Sequence, residues 1–145
     1  MTKDEWIKKY EEKTGDKHEL LPGYNEQYLS DRGYCQYGID TENGSLVIYE
    51  TCGDGKFWYD VGLLICKEKK LQRLITLVTR PIKAHLRFFG GKIQNETVAE
   101  DGSYRISGVN HNGRPFTVFP AWFDNKKNIY AYYLITEVGD DNNVF

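Results

Sequence analysis

Cysteine, histidine and proline are scarce in the 145 residues: three Cys (Cys35, Cys52, Cys66), three His (His18, His85, His111) and four Pro. The odd cysteine count and the lack of a Cys-x-x-Cys pair exclude a simple disulfide framework and fit free, buried thiols in a reducing compartment. The histidines stand far apart, so the short ligand spacings of a zinc site are missing and no metal is expected. No apolar run approaches the ~20 residues that cross a bilayer, so no membrane contact is expected. The opening Met1-Thr2-Lys3-Asp4-Glu5-Trp6 is charged, unlike a signal peptide. The sequons Asn43-Gly44-Ser45 and Asn95-Glu96-Thr97 therefore carry no expectation of glycosylation. A cytoplasmic protein is the reading.

What the chain has is aromatic and charged material. It is 40% hydrophobic, 14% aromatic and 28% charged, and large rings supply the burial that opposes chain entropy, which argues against disorder. The length suits one domain, 1–145. The net charge of −2 hides an asymmetry: from Lys67 to Lys92 there are eight basic side chains against Glu68 alone. A cationic segment in an otherwise acidic chain points to a particular anionic ligand, or to a solvated helix face.

The local signals expect an α+β fold. Thr2 to Glu5 has capping-box spacing, Trp6, Ile7 and Tyr10 form an apolar stripe, and Gly15 suits a left-handed stop, so a helix is expected over 2–14. Pro22-Gly23 reads as a turn, with a short helix at Asn25–Ser30. Two strands, Tyr34–Ile39 and Leu46–Glu50, flank Asn43-Gly44, a strong hairpin signal. Thr51–Gly55 reads as too small and flexible to extend the second strand. Lys56–Lys69 has helical spacing, with Phe57, Val61, Leu64 and Ile65 on one face and Trp58 beside them. Leu74–Thr79 is a nearly continuous apolar strand, which completes a right-handed strand–helix–strand unit. Pro81 opens a further helix through Ile82, Leu86 and Phe89, ended by Gly90-Gly91. The last third is expected to be antiparallel β: Tyr104–Val109, Pro115–Phe119 and Asn128–Val138, then an acidic tail over 139–145. Pro120–Asp124 reads as a loop with an exposed ring, an acceptor-side wall. The aromatics between Phe116 and Tyr133 read as sheet core, or else as rings that stack on a flat ligand.

The chemistry concentrates where the second strand feeds the helix. A helix N-terminus exposes backbone N–H groups without intrahelical partners, and with the dipole these favour phosphate. Gly53 and Gly55 lack the Cβ atoms that would obstruct a pyrophosphate. A Walker loop is excluded, because Gly55-Lys56 is followed by Phe57, which cannot ligate magnesium. A dinucleotide fingerprint lacks its third glycine and its acidic residue. Cys52 in this loop is expected mainly to pack, although a thiol near a helix N-terminus tends toward a lowered pKa. Glu50, ending the strand, is the candidate general base, with a strand-end surface charge as the other reading. Strand alternation sends Tyr49 to the opposite face. His85 reads as exposed.

Glu50-Thr51-Cys52-Gly53-Asp54-Gly55 resembles the Gln/Arg-x-x-Gly-x-Gly/Ala loop of the GNAT superfamily of acyl-CoA-dependent N-acyltransferases, with Glu50 at the Gln/Arg position. Further on, Arg80-Pro81-Ile82-Lys83-Ala84-His85-Leu86-Arg87-Phe88-Phe89-Gly90-Gly91 resembles the family's Asn-x-x-Ala-x-x-Leu-Tyr helix, with Phe88 at the Tyr position. The resemblance covers about residues 45–93. It implies a GNAT-like mixed central sheet with a β-α-β acyl-CoA-binding core, an N-terminal helix and C-terminal antiparallel strands. It also implies acetyl-CoA as co-substrate, held by Thr51, Cys52, Gly53, Asp54, Gly55 and Lys56 with Arg80, Lys83 and Phe88. The family's Tyr often protonates the leaving thiolate, which Phe88 cannot do.

Three functions follow. The first is acetyl transfer from acetyl-CoA to a primary amine, on a small molecule or a protein. The second is a GNAT-like module without turnover that binds a partner. The third is a nucleic-acid-modifying relative using the cationic segment, which the acidic remainder makes the weaker reading. The aromatic last strand also leaves room for a homodimer.

Overall fold

The computed structural model describes residues 1–19, 26–53 and 55–139, with the backbone alone at Tyr28. The chain forms two compact units, Met1–Leu74 with Val138–Phe145, and Ile75–Glu137. Among the described residues it is a mixed α+β protein with three helices.

The first unit opens with α1 (Lys3–Thr14), capped as its sequence expects. Thr2 Oγ1 accepts the Glu5 amide at 3.2 Å and Glu5 Oε1 accepts the Thr2 amide at 2.9 Å. Gly15, at φ 76°, closes the far end. A strand, β1 (Glu26–Ser30), stands where a short helix was expected; Asn25 and the expected Pro22-Gly23 turn lie outside the described residues. So short a helix has no nucleation advantage, and pairing with β2 (Gly33–Asp40) supplies the hydrogen bonds instead. The next strand, β3 (Ser45–Gly53), pairs antiparallel with β2 across the expected Asn43-Gly44 turn.

This strand does not stop at Glu50. It continues through Thr51, Cys52 and Gly53, because Cys35, Tyr34 and Gly33 of β2 stand opposite them. Gly53 has φ 101°, and a Cβ there would drive into the backbone of Arg32 and Gly33. Its lack of a side chain is thus required by the neighbouring strand. The tail expected over 139–145 lies outside the described residues apart from Gly139.

The following helix, α2 (Gly55–Lys69), starts one residue before its expected position. Its buried row is Trp58, Gly62 and Cys66, one residue round from the expected stripe, so that Leu64 is 57% exposed. Trp58, the largest ring, takes the core position, and Phe57, Val61 and Ile65 flank it. Gly62 allows close approach: a Cβ there would lie 3.0 Å from Leu74 Cδ1 and 3.2 Å from Ile48 Cδ1. Lys67 and Lys69 sit in the last turn, where cations suit the dipole. The strand β4 (Arg73–Val78) sets out beside the start of β3, since the Gln72 and Arg73 amides both donate to the Gly44 carbonyl, at 2.6 and 3.1 Å. The unit's strands run in the order β1-β2-β3, all antiparallel, and α2 leads from β3 to the opening residues of β4, Arg73 and Leu74.

In the second unit α3 (Ile82–Phe88) starts one residue later than expected, with Pro81 as its N-cap rather than its first helical residue. Four strands follow: β5 (Lys92–Val98), β6 (Tyr104–Val109), β7 (Pro115–Asp124) and β8 (Ile129–Glu137). They pair antiparallel in sequence order. Val78, Ile82, Leu86, Ile106, Phe116, Val118 and Tyr132 form the core. The expected loop at Pro120–Asp124 is instead part of β7, which bulges at Ala121 and stays paired with β8. Trp122 is nevertheless exposed, as expected. The aromatic group divides: Phe116 and Tyr132 are buried, whereas Phe119, Trp122, Phe123 and Tyr133 face outward. The sequence reading had no strand at β5, whose residues are all exposed and so show no apolar alternation.

Substituting Gly53→Ala is expected to destabilise the chain by about 2–4 kcal/mol, from the left-handed φ and the backbone overlap together. Urea denaturation measures this, and a stability unchanged by the substitution would contradict the packing described.

Candidate functional site

A bulge in β3 builds the site. Tyr37 pairs with Ile48 and Gln36 with Glu50, which makes Tyr49 the extra residue of the bulge. Before the bulge, Leu46 and Ile48 point to the α2 side, into the cluster with Trp58 and Cys66. After it the alternation is inverted, and Cys52 joins Trp6 and Tyr34 on the α1 side. Glu50, opposite Gln36, points the same way. Alternation had placed Tyr49 and Glu50 on opposite faces. The extra residue removes that separation, and the charges of both act on the Tyr10 hydroxyl of α1.

The Glu50 side chain is 1% exposed, and His18 Nδ1 lies 2.8 and 3.0 Å from its two oxygens. The surface-charge reading of Glu50 is thereby excluded. His18 is held in turn: its backbone N–H donates to Glu11 Oε2 at 2.9 Å, and its ring meets Tyr34 edge-on at 5.9 Å. Burial pushes the Glu50 carboxyl above its ordinary 4.5, and the His18 hydrogen bond and charge oppose that rise. The same burial, with Glu50's charge second, pushes the Tyr34 hydroxyl and the Cys52 thiol up to about 12. Cys52 Sγ lies 3.9 Å from Glu50 Oε1. The tendency toward a lowered thiol pKa is thus reversed, and Cys52 is a packing residue.

Among the described residues, Trp6 Nε1 is buried without a hydrogen-bond partner. Gln36, fully buried, opposes the rise at the Tyr34 hydroxyl through a side-chain hydrogen bond, and its Nε2 donates to the Glu19 carbonyl at 3.1 Å.

At the strand–helix joint Thr51, Gly53 and Lys56 are exposed and Gly55 is half-buried, while Asp54 lies outside the described residues. Trp58 Nε1 donates to the Cys52 carbonyl at 3.1 Å, which ties the first turn of α2 to the end of β3. That turn contains no acidic residue. Arg80, Lys83 and Phe88 belong to the second unit and have partners there. Arg80 Nε donates to His85 Nδ1 at 3.0 Å and its guanidinium lies 5.5 Å from the Phe88 ring. Lys83 pairs with Glu96 at 2.9 Å and stands over Tyr104. His85 is half-buried rather than exposed, and burial, with Arg80 beside it, lowers its pKa to about 3.

No protein-family model matches the chain, and no curated protein matches it either. No helix among the described residues is long and apolar enough to cross a membrane, and among them no three His, Cys, Asp or Glu side chains gather to hold a metal ion.

Sequence reasoning singled out Glu50 but missed His18, Trp6 and Tyr34 as its surroundings. His18 is 32 residues away, and nothing local announces the pairing.

Because Glu50 has a raised folded-state pKa, its contribution is fully present below pH 4.5 and is lost as pH rises through the raised value. The Tm of Glu50→Gln relative to wild type is therefore expected to climb from pH 4 to pH 7. A difference that stays flat across that range in calorimetry would contradict the burial of this carboxylate.

Proposed function

We propose that the chain is an acyl-CoA-dependent N-acyltransferase that transfers an acetyl group to a primary amine. One observation carries the reading: a buried carboxylate, Glu50, hydrogen-bonded by His18, lies three residues before the glycine that joins β3 to α2. A base and an anion seat are what this reaction needs from a protein, and here one strand bears both.

The seat would be the start of α2. Amides at a helix N-terminus attract phosphate, the first turn has no carboxylate to compete, and Lys56 is exposed beside it. Gly53 contributes by turning the chain at φ 101°. Gly55, Lys56 and neighbouring amides are the residues that would hold the pyrophosphate. The bound thioester would supply an activated acyl carbon and a stable leaving group.

Glu50 does the rest. An amine arrives as an ammonium ion and must lose a proton before it attacks. A carboxylate whose pKa is raised by burial is a stronger base for that step than an exposed one. His18 holds both carboxylate oxygens and so orients them. Nitrogen bonds to the acyl carbon, the carbon–sulfur bond breaks and sulfur leaves as thiolate, which takes up the second proton that the nitrogen sheds, so the products are amide and thiol. An ordinary thiol has a pKa of about 8.5, so the thiolate departs without a dedicated acid, which is compatible with Phe88 at the family's Tyr position.

Isothermal titration is expected to show saturable acetyl-CoA binding. Glu50→Gln should lower kcat on an amine acceptor by about 100-fold or more while binding acetyl-CoA within about twofold of wild type. Absence of binding at millimolar acetyl-CoA would overturn the reading.

A further inference from the structure

The strand β7, like β3, carries a bulge, and this one turns a tryptophan outward. On the core side of the second unit's sheet stand Phe116, Val118 and Tyr132, packed with Ile82 and Leu86 of α3. The other side carries Phe119, directly opposite Tyr133. Plain alternation would send Trp122, three residues on, to the core side. The extra residue between Pro120 and Trp122 reverses that, so Trp122 stands opposite Ala131, on the side of Phe119 and Tyr133. Phe119, Trp122 and Tyr133 are 44%, 45% and 39% exposed. Three large rings left in water on one sheet face mark a surface that meets something.

A cation continues the row. Ile106 pairs with Val118, so Arg105 comes next to Phe119 in that register, and Arg105 itself pairs with Thr97. The row therefore runs Thr97, Arg105, Phe119, Tyr133 across neighbouring strands. Arg105 is exposed, and one of its donors meets Ser103 Oγ at 3.3 Å; a guanidinium has others to offer a phosphate. The unit holds eight basic side chains against five acidic ones, although the rest of the chain holds eleven against sixteen. Two carboxylates at the strand ends are engaged in their own turns: Asp101 Oδ1 accepts from Ser103, and Asp124 Oδ1 from the Lys126 and Lys127 amides. Glu137 stands beyond Ile135 at the far end of β8.

Rings beside a cation select a ligand with uncovered flat groups and a regular anionic backbone. A single-stranded nucleic acid has both. A duplex hides its base faces in the stack, and a neutral sugar chain gives Arg105 nothing to neutralise. We propose that this face of the second unit binds single-stranded nucleic acid. Phe119 and Tyr133, about 5 Å apart at Cα, stack on successive bases, Trp122 takes a third, and Arg105 holds the backbone phosphate. The inference stands on this unit alone and owes nothing to Glu50 or to acyl transfer.

The test is fluorescence anisotropy of the full chain with labelled oligothymidylate and oligouridylate of about 12 nucleotides, which separates DNA from RNA as the source. At least one is expected to bind saturably, more tightly than the oligothymidylate–oligoadenylate duplex, with an affinity that falls linearly in log salt. Tryptophan emission of the wild type should be quenched on binding, since Trp122 is exposed whereas Trp6 and Trp58 are buried. Phe119→Ala and Tyr133→Ala should each weaken binding about tenfold, Phe119→Trp should retain it, and Arg105→Ala should flatten the salt slope by about 0.7. Circular dichroism checks that the variants fold; if one does not, the wild-type titration and its quenching decide. The proposal is overturned if neither oligonucleotide binds at up to millimolar concentration, if the duplex binds as tightly, if the ring variants bind like wild type, or if emission is unchanged on binding. Self-association of the free chain that Phe119→Ala abolishes, without oligonucleotide binding, would give the face to a second copy and overturn it too.

Discussion

One extra residue in β3 sets the layout of the first unit. Without the bulge at Tyr49, the alternation of β3 would carry Glu50 into the same apolar layer as Leu46 and Ile48, against Trp58 and Cys66. A carboxylate there would be set in a largely apolar layer. With the bulge, the first half of β3 builds the hydrophobic layer under α2, and the second half brings a carboxylate and a thiol to α1. One strand thus serves two faces with different chemistry, and the inversion falls immediately before the joint to α2.

Placing a carboxylate on the α1 side still requires compensation. An ionised carboxylate taken from water is disfavoured by several kcal/mol even after relaxation, and a partner must restore much of that. His18 does so from a segment just beyond α1, itself fixed by the bond from its amide to Glu11. The helix therefore acts through its end as much as through its face. It supplies Trp6 and Tyr10 as packing, Glu11 as the anchor, and the chain that returns His18 to the carboxylate. The remaining imbalance is what raises the Glu50, Tyr34 and Cys52 pKa values together, since all three respond to the same dehydrated space.

Much of this was legible in the sequence where the determinants are local. The capping box at Thr2–Glu5, the Asn43-Gly44 hairpin and the long final strand follow from residues a few positions apart. What was illegible depends on distant partners. The segment Glu26–Ser30 becomes a strand only because β2 is there to pair with it, and β3 outlasts Glu50 because Tyr34 and Gly33 continue alongside. The α2 stripe was misplaced by one residue because hydropathy counts Gly62 as neutral, although its small size is what lets the helix close on Leu74. Gly53 shows how a motif position can have a second cause: the backbone of Arg32 and Gly33 demands a glycine there whatever binds nearby. Glu50 could be picked out by its place at the strand end, but its partner His18 could not.

The three cysteines bear on how the molecule behaves outside any assay of function. All are buried, and Cys35 and Cys52 have thiols pushed up to about 12. Alkylating reagents and mild oxidants act on the thiolate, a form that burial disfavours at both positions. Aerobic handling should therefore leave the chain uncrosslinked without added reductant. Maleimide dyes would find a grip only on a cysteine introduced at the surface.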